Sequence, residues 1–367
     1  STSELEGEGG EGSNGGGDSQ PPHQRNMGAG ASTARRQCHE EPTYKPVGSY
    51  VTQRIFLSIV AVLDLHDMQL DMKNAYLRSK LDREITPVQN YLGLEIVRDR
   101  SARKLWLHQS AYVDKLRRCF VDEEQTGRCP KTPISVDAYT ELTFDDKEYQ
   151  AREEEYRQKV GSLQFAATTT RPDIAYACSK LGSGLTIRSD QHWRELDHCI
   201  DYMVNTCDFT LEFGGGPDTL RLVGYADSDD AVSWASHRIK CMTLSSTESE
   251  YIVATEAGTK ARRSRFLLAE FRLLDGGVPT VIHVDNSSAI AVAKGLGLKG
   301  SLKHMERRYI WLQQMVKRKK LALTYIPTSE QPADYLTKAL HSPAFKRCSV
   351  TVGQVDLADN ERDNEQE

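Results

Sequence analysis

Apolar positions recur along this chain at two spacings, which predict helices and strands in alternation. Spacings of three and four residues predict helices over residues 54–65, 110–120 and 156–168. Short apolar runs predict a β-hairpin within residues 91–107 and single strands at 280–284 and 321–326. The pattern is typical of an α/β chain.

The start of one further helix is marked by its own residues. Ser245, followed three residues later by Glu248, forms a capping box and predicts a helix that begins there. Alanines lie four, seven and eleven residues beyond Glu250, so this glutamate is expected in line with a small, packable stripe. A buried carboxylate needs a cation or a basic partner. The alternative is that Glu250 lies at the edge of the face, in solvent.

Three aspartates stand at comparable places in the predicted elements. Asp227 closes the second strand of a predicted strand-turn-strand unit, in which residues 209–213 and 220–226 flank three glycines. Asp285 ends the strand 280–284, and Asp334 lies on a helix expected to run to about residue 340. A single acidic residue at a strand end is usually a turn former. Four in this order, counting Glu250, are candidates for a common site.

Composition adds limits to this picture. With 38% hydrophobic and 27% charged residues, the 367-residue chain has material for two globular cores. The net charge of −5 gives no overall positive field, so any nucleic-acid binding needs the local basic stretches 260–265 and 317–320. The alternative for each stretch is a solvated helix face or helix end without nucleic-acid contact. The longest apolar run, 55–65, is too short to span a bilayer, and no membrane contact is expected.

Cysteine and histidine spacing predicts no metal centre. The eight cysteines show no CxxC pairing and are typical of free thiols in a reducing, intracellular compartment. His192, Trp193 and His198 are expected in core or capping roles, because no matching carboxylate or cysteine spacing accompanies them. Residues 1–42, rich in Gly, Ser, Glu and Pro, and the acidic tail from about residue 353 are expected to be disordered. A chain that opens on such a segment and on Ser could be part of something longer.

The stretch TYKPVGSYVTQRIFLSIVAVLDLHDMQLDMKNAYLRSKLDREI resembles the start of the copia-type retrotransposon reverse transcriptase. There Asp71 matches the first metal ligand of the palm. The family's Tyr-x-Asp-Asp turn is missing, and QNYLGLEIVRDR (89–100), which resembles the block after that turn, follows almost directly. Two-metal catalysis needs several converging carboxylates, so this resemblance implies that polymerase activity is lost. VGSLQFAATTTRPDIAYACSKL (160–181) resembles the thumb and connection region of the same polyprotein.

The motifs GYADSD, LSSTESEY, HVDNSSAIA and YIPTSEQPADYLTKAL resemble those of the copia-type RNase H domain. Asp227, Glu250, Asp285 and Asp334 match its Asp-Glu-Asp-Asp set. The resemblance implies two Mg²⁺ or Mn²⁺ ions and hydrolysis of RNA in RNA/DNA hybrids. In that scheme Asp227 bridges both ions, Asp334 completes the water-side metal, and Glu250 and Asp285 hold the ion facing the leaving group. Contacts to 2′-hydroxyls would distinguish RNA from DNA.

The nucleic-acid contacts implied by the resemblance are basic residues and one histidine. His304, in KHMERRY, matches a family histidine, for which a packing role is favoured over catalysis. The candidate contacts are Lys260, Arg262, Arg263, His304, Lys317 and Arg318. Other parts of the retroelement polyprotein are the expected protein partners, in a cytoplasmic particle or the nucleus.

One departure from the family puts the RNase H-like sheet in doubt. Between Asp230 and Ala231 the usual turn and second strand are absent, so an edge is exposed or a later strand pairs in that place. The expected fold is thus an α+β fragment followed by a mixed sheet with helices on both faces and one strand missing. The chain is either a metal-dependent ribonuclease or an inactive remnant with at most weak nucleic-acid binding.

The expected organisation has five parts. They are a disordered segment (1–42), a truncated palm and thumb remnant (43–130), a helical connection region (131–208), an RNase H-like domain (209–345) and a polar acidic tail (346–367).

Overall fold

A computed structural model describes residues 49–65, 89–121, 129–136, 153–185, 190–215, 222–226, 234, 236, 245–274, 277–296 and 306–357. Its helices are α1 (Tyr50–Val62), α2 (Ser110–Phe120), α3 (Glu153–Thr169), α4 (Ala175–Ser183), α5 (Asp190–Asn205), α6 (Ser246–Glu270), α7 (Ser287–Ala293), α8 (Glu306–Lys317) and α9 (Ser342–Thr351). Its strands are β1 (Asn90–Tyr91), β2 (Leu94–Asp99), β3 (Lys104–His108), β4 (Phe209–Gly214), β5 (Val223–Ala226), β6 (Thr280–Val284), β7 (Leu321–Tyr325) and β8 (Gln354–Asp356). The mixture of helices with antiparallel and parallel strands confirms the α/β class. No helix in the described part of the chain is both long and apolar enough to cross a bilayer.

The first core lies on an antiparallel sheet with the order β1-β2-β3-β4-β8. The predicted hairpin is confirmed, since β2 and β3 pair from Glu95 opposite His108 to Asp99 opposite Lys104. Helix α1 packs against β3 and β4 and buries Val60 with the inward residues of the sheet. Alternation of buried and outward residues along each strand is what places this core on one face.

The two strands predicted on either side of the three glycines are present as β4 and β5, but the hairpin expected between them is wrong. β4 pairs with β3 on one side and with β8 on the other, and β5 belongs to a different sheet. Gly214 ends β4 at φ 89°, and a Cβ there would overlap the carbonyl oxygen of Arg103. Glycine is therefore required for close approach between β3 and β4. The glycines signal where the chain bends, but they carry no information about which strand pairs with which.

The polar tail expected from residue 346 is also wrong as far as residue 357. α9 buries Phe345 and Cys348 beside Tyr335, in a core formed mainly by helices. β8 pairs antiparallel with β4 and extends the first sheet. Apolar residues at helical spacing outweigh the polar composition of this stretch, because each finds a buried partner. The described residues do not include 1–42 or 358–367, and the domain boundaries stay predictions.

The core between α2, α3, α4, α5 and α9 holds the histidine and tryptophan singled out in the sequence. His192 is 2% exposed and Trp193 is 5% exposed, and Tyr156 packs edge-on against the Trp193 ring. The Nε2 atom of His198 lies 2.8 Å from the carbonyl oxygen of Thr132. The expected core role is confirmed for His192 and Trp193, whereas His198 contacts the 129–136 segment and caps no helix in the part of the chain that the structure describes.

A parallel sheet with the order β5-β6-β7 forms the second core. Ala226 pairs with Val284, and Val284 pairs with Tyr325, so the three strands end at the same edge. Ile282 and Val284 are fully buried against the apolar face of α6. Residues 227–233, which follow β5, lie outside the description, so the missing strand and the helices on both faces stay predictions.

Candidate active site

The common edge of the parallel sheet brings together the positions where the sequence placed its aspartates. Asp285 follows β6 directly, and Asn286 caps α7 by accepting a hydrogen bond of 3.0 Å from the backbone N–H of Ala289. Asp227 lies outside the described residues. Its neighbour Ala226, however, is the residue of β5 that pairs with Val284, the neighbour of Asp285.

Helix α6 delivers Glu250 to this edge. The predicted cap is confirmed, because the Ser245 hydroxyl accepts a hydrogen bond of 3.2 Å from the backbone N–H of Glu248. Glu250 lies in the second turn and is half-buried. The predicted stripe is confirmed as well, since Ala254, Ala257 and Ala261 are all buried against the parallel sheet and its helices.

Asp334 reaches the same place from a short 3₁₀ helix, Pro332–Leu336, rather than from the longer helix that was expected. Pro332 at its start and the packing of Tyr335 and Leu336 into the helical core favour this tight turn. Asp334 is only 7% exposed. The residue before the turn, Gln331, donates a hydrogen bond of 3.0 Å from its side chain to the carbonyl oxygen of Ala226. This bond ties the turn to the end of β5.

Two residues missed in the sequence contact the aspartates directly. The Thr328 hydroxyl donates a hydrogen bond of 3.1 Å to Asp285 Oδ2. The ammonium of Lys338, four residues after Asp334 in the chain, lies 2.6 Å from Asp334 Oδ2. A basic residue four positions after an acidic one was the available signal for the second contact. Nothing local in the sequence pointed to the first.

The three described carboxylates interact electrostatically. Burial first, and then the charges of Asp285 and Asp334, raise the pKa of Glu250 from its ordinary 4.5 to about 7, while Lys338 opposes the rise. Glu250 Oε2 and Asp334 Oδ1 are buried without a hydrogen-bond partner among the described residues. Two orphaned carboxylate oxygens beside a third acidic residue form a region of concentrated negative charge.

The chemistry of these groups fits a hard divalent cation. Carboxylate oxygens are the ligands that Mg²⁺ prefers, and an ion would satisfy the two orphaned oxygens. Within the described ranges, however, no three acidic, histidine or cysteine side chains lie close enough together to hold an ion by themselves. The charges of Asp285 and Asp334 nevertheless act on Glu250, so the three carboxylates lie near one another.

The candidate nucleic-acid contacts that the structure describes lie on or at the ends of α6 and α8, which pack against each other. Arg262 and Arg263 are exposed on α6, where Lys260 is half-buried. Lys317 and Arg318 are exposed at the end of α8. At 1.5 Å per residue, Arg262 lies about 18 Å along the helix axis from Glu250. Asp71 and His304 lie outside the described residues.

The chain matches parts of longer proteins. It is 31% identical over 329 residues to the "Retrovirus-related Pol polyprotein from transposon TNT 1-94" of Nicotiana tabacum, covering 80% of this chain and 24% of that polyprotein. It is 29% identical over 294 residues to the corresponding polyprotein from transposon RE2 of Arabidopsis thaliana, covering 74% of this chain and 20% of that polyprotein. A shorter match, 32% over 126 residues, covers 29% of this chain and 88% of the "Secreted RxLR effector protein 161" of Plasmopara viticola. No family model matches.

The chain thus spans about a fifth to a quarter of the length of the polyproteins it matches. Two of them, from different plants, align with about three quarters or more of its residues. The resemblance noted in the sequence motifs is confirmed: the chain is similar to part of the retrovirus-related Pol polyproteins of plant transposons.

Proposed function

We propose that this chain is a ribonuclease of the RNase H type, which hydrolyses the RNA strand of RNA/DNA hybrids. One observation carries the proposal. A helix, a strand end and a 3₁₀ helix bring together Glu250, Asp285 and Asp334. Burial of Glu250 and the charges of the two aspartates hold its pKa near 7. Perturbed carboxylates gathered in this way are typical of a catalytic site.

The residues that would hold metal are Asp227, Glu250, Asp285 and Asp334. Bound Mg²⁺ or Mn²⁺, two ions in this proposal, would supply an activated water and stabilise the charge on the leaving oxygen of the phosphodiester.

The chain's own groups act by positioning. Thr328 holds the Asp285 carboxylate through a hydrogen bond to Oδ2. Gln331 fixes the turn that carries Asp334 to the end of β5. Because a displacement of about 1 Å in such a constellation can cost roughly a hundredfold in rate, we expect the loss of either bond to slow cleavage.

Exposed basic side chains on α6 and α8 would contact the phosphates of the hybrid. Arg262 and Arg263 lie on the helix that carries Glu250, at a distance that a duplex several base pairs long would span. The proposal keeps Lys260, Lys317 and Arg318 as further contacts. Polymerase activity is proposed to be lost, and the other parts of the polyprotein are proposed partners in a cytoplasmic particle or the nucleus.

A second candidate is an inactive remnant that binds nucleic acid weakly. It is favoured by the separation of the three described carboxylates, which do not form a metal-holding group without Asp227. The segment that is missing relative to the family would follow Asp230, only three residues after Asp227. The two candidates therefore differ in whether Asp227 reaches the other three carboxylates.

Cleavage of a labelled RNA/DNA hybrid in Mg²⁺ or Mn²⁺ tests the proposal. We expect cleavage by the wild type, loss of at least a hundredfold in Asp227→Asn, and unchanged cleavage in the matched control Asp114→Asn on the exposed side of α2. A folded wild-type chain that leaves the hybrid intact would refute the ribonuclease and leave the inactive remnant. Cleavage that persists in Asp227→Asn would point to a contaminating nuclease.

A further inference from the structure

Lys338 is placed against the acidic cluster by backbone and side chain together. Its backbone N–H donates a hydrogen bond of 3.0 Å to the carbonyl oxygen of Asp334. Its ammonium lies 2.6 Å from Asp334 Oδ2. The side chain of Asp334 is 9% exposed, whereas that of Lys338 is 47% exposed. The ion pair thus joins a nearly buried carboxylate to a cation that approaches from solvent.

The two oxygens of Asp334 have different surroundings. Oδ2 is paired with Lys338, while Oδ1 is buried without a partner among the described residues, as is Glu250 Oε2. The paired oxygen faces the ammonium, and the orphaned one is available for another ligand. A divalent cation bound at this position would have to share the Asp334 carboxylate with the lysine.

We infer that Lys338 is a positioning residue that holds Asp334 by its ammonium and competes with a divalent cation for the carboxylate cluster, so that it sets the metal affinity of the site. The inference rests on the proposed function, because it needs a metal at this cluster. It goes beyond that function by assigning a role to a residue outside the four carboxylates.

The chemistry of lysine suits this role. Its charge sits on a flexible four-carbon stem, so a half-exposed lysine can withdraw towards solvent when a cation of higher charge arrives. Before then it offsets the mutual repulsion of Glu250, Asp285 and Asp334, which all carry the same charge when ionised. One positive charge left near the ion lowers metal affinity by Coulomb repulsion.

The test is direct titration of the full-length protein with Mg²⁺ and with Mn²⁺ by calorimetry, with no nucleic acid present. Lys338→Met keeps the stem and removes the charge, and we expect it to bind metal about threefold to tenfold more tightly than the wild type. Lys338→Arg keeps the charge and should restore the wild-type affinity to within about twofold. Lys346→Met, an exposed lysine on α9, is the matched control and should not change the affinity.

The outcomes separate this inference from the proposed function. Equal or weaker metal binding by Lys338→Met, with binding by the wild type intact, would refute the competition alone. Tighter binding in Lys346→Met as well would refute a local role, because it would indicate a general effect of net charge. A wild type that binds neither metal would refute the metal site, and the competition would fall with it.

Discussion

The most direct consequence of the acidic cluster is that Glu250→Gln should stabilise the metal-free protein at alkaline pH. Glu250 is half-buried and faces Asp285 and Asp334 at the end of the parallel sheet, with Lys338 as the opposing charge. Glutamine has nearly the same shape and carries no charge. The substitution therefore removes the repulsion and the cost of burying a carboxylate while the packing of α6 is kept.

The magnitude follows from the pKa. The rise from 4.5 to about 7 corresponds to about 3 kcal/mol at 1.36 kcal/mol per pKa unit. Since the side chain is only half-buried and solvent screens part of the interaction, we expect about 1–2 kcal/mol. The folded state binds the proton more tightly than the unfolded state. The contribution to stability is therefore fully present below pH 4.5, falls between pH 4.5 and 7, and is lost above pH 7.

Urea denaturation in EDTA at intervals from pH 4.5 to 8 measures this effect. The variant should exceed the wild type by about 1–2 kcal/mol at pH 8, and the difference should vanish near pH 4.5. Glu270→Gln, at the exposed end of the same helix, is the control and should leave the pH dependence unchanged. Equal pH profiles for the wild type and Glu250→Gln would refute the raised pKa of Glu250.

Two further predictions concern the metal and the hybrid. Mg²⁺ at ten times its dissociation constant should stabilise the wild type by about 1.4 kcal/mol, as measured by urea denaturation, and Asp285→Asn should lose this gain. Persistence of the gain in that variant would place the metal elsewhere. Replacing Arg262 and Arg263 by alanine should weaken hybrid binding about equally across sequences and reduce the slope of log affinity against log salt by about 2. An unchanged slope would exclude these two arginines from phosphate contact.

Local signals in the sequence located much of the fold. The cap at Ser245, the strand Thr280–Val284 and the helix Ser110–Phe120 all occur where hydrophobic spacing and capping residues predicted them. These features depend on neighbours within a few positions, so the residues themselves carry the information. The same signals put Asp285 at a strand end and Glu250 on the alanine stripe.

Sheet pairing and the C-terminal elements were not predictable in this way. β4 was expected to pair with β5, yet it lies between β3 and β8, whose residues come from distant parts of the chain. The stretch from residue 346 was expected to be a polar tail, yet α9 and β8 run through it because buried partners are available for their apolar side chains. Strand partners and buried faces are properties of the assembled core, to which composition alone is a poor guide.

At the candidate site, the sequence by itself determined which carboxylates stand at strand ends and on the helix. Only the tertiary structure decided that Glu250 has a pKa near 7, that Gln331 ties the Asp334 turn to β5, and that Lys338 pairs with Asp334. The physical reason is the distance along the chain over which each kind of interaction acts. Propensity and capping act over a few residues, whereas burial and Coulomb interactions depend on groups that are far apart in the chain and meet only when the sheet and its helices have packed.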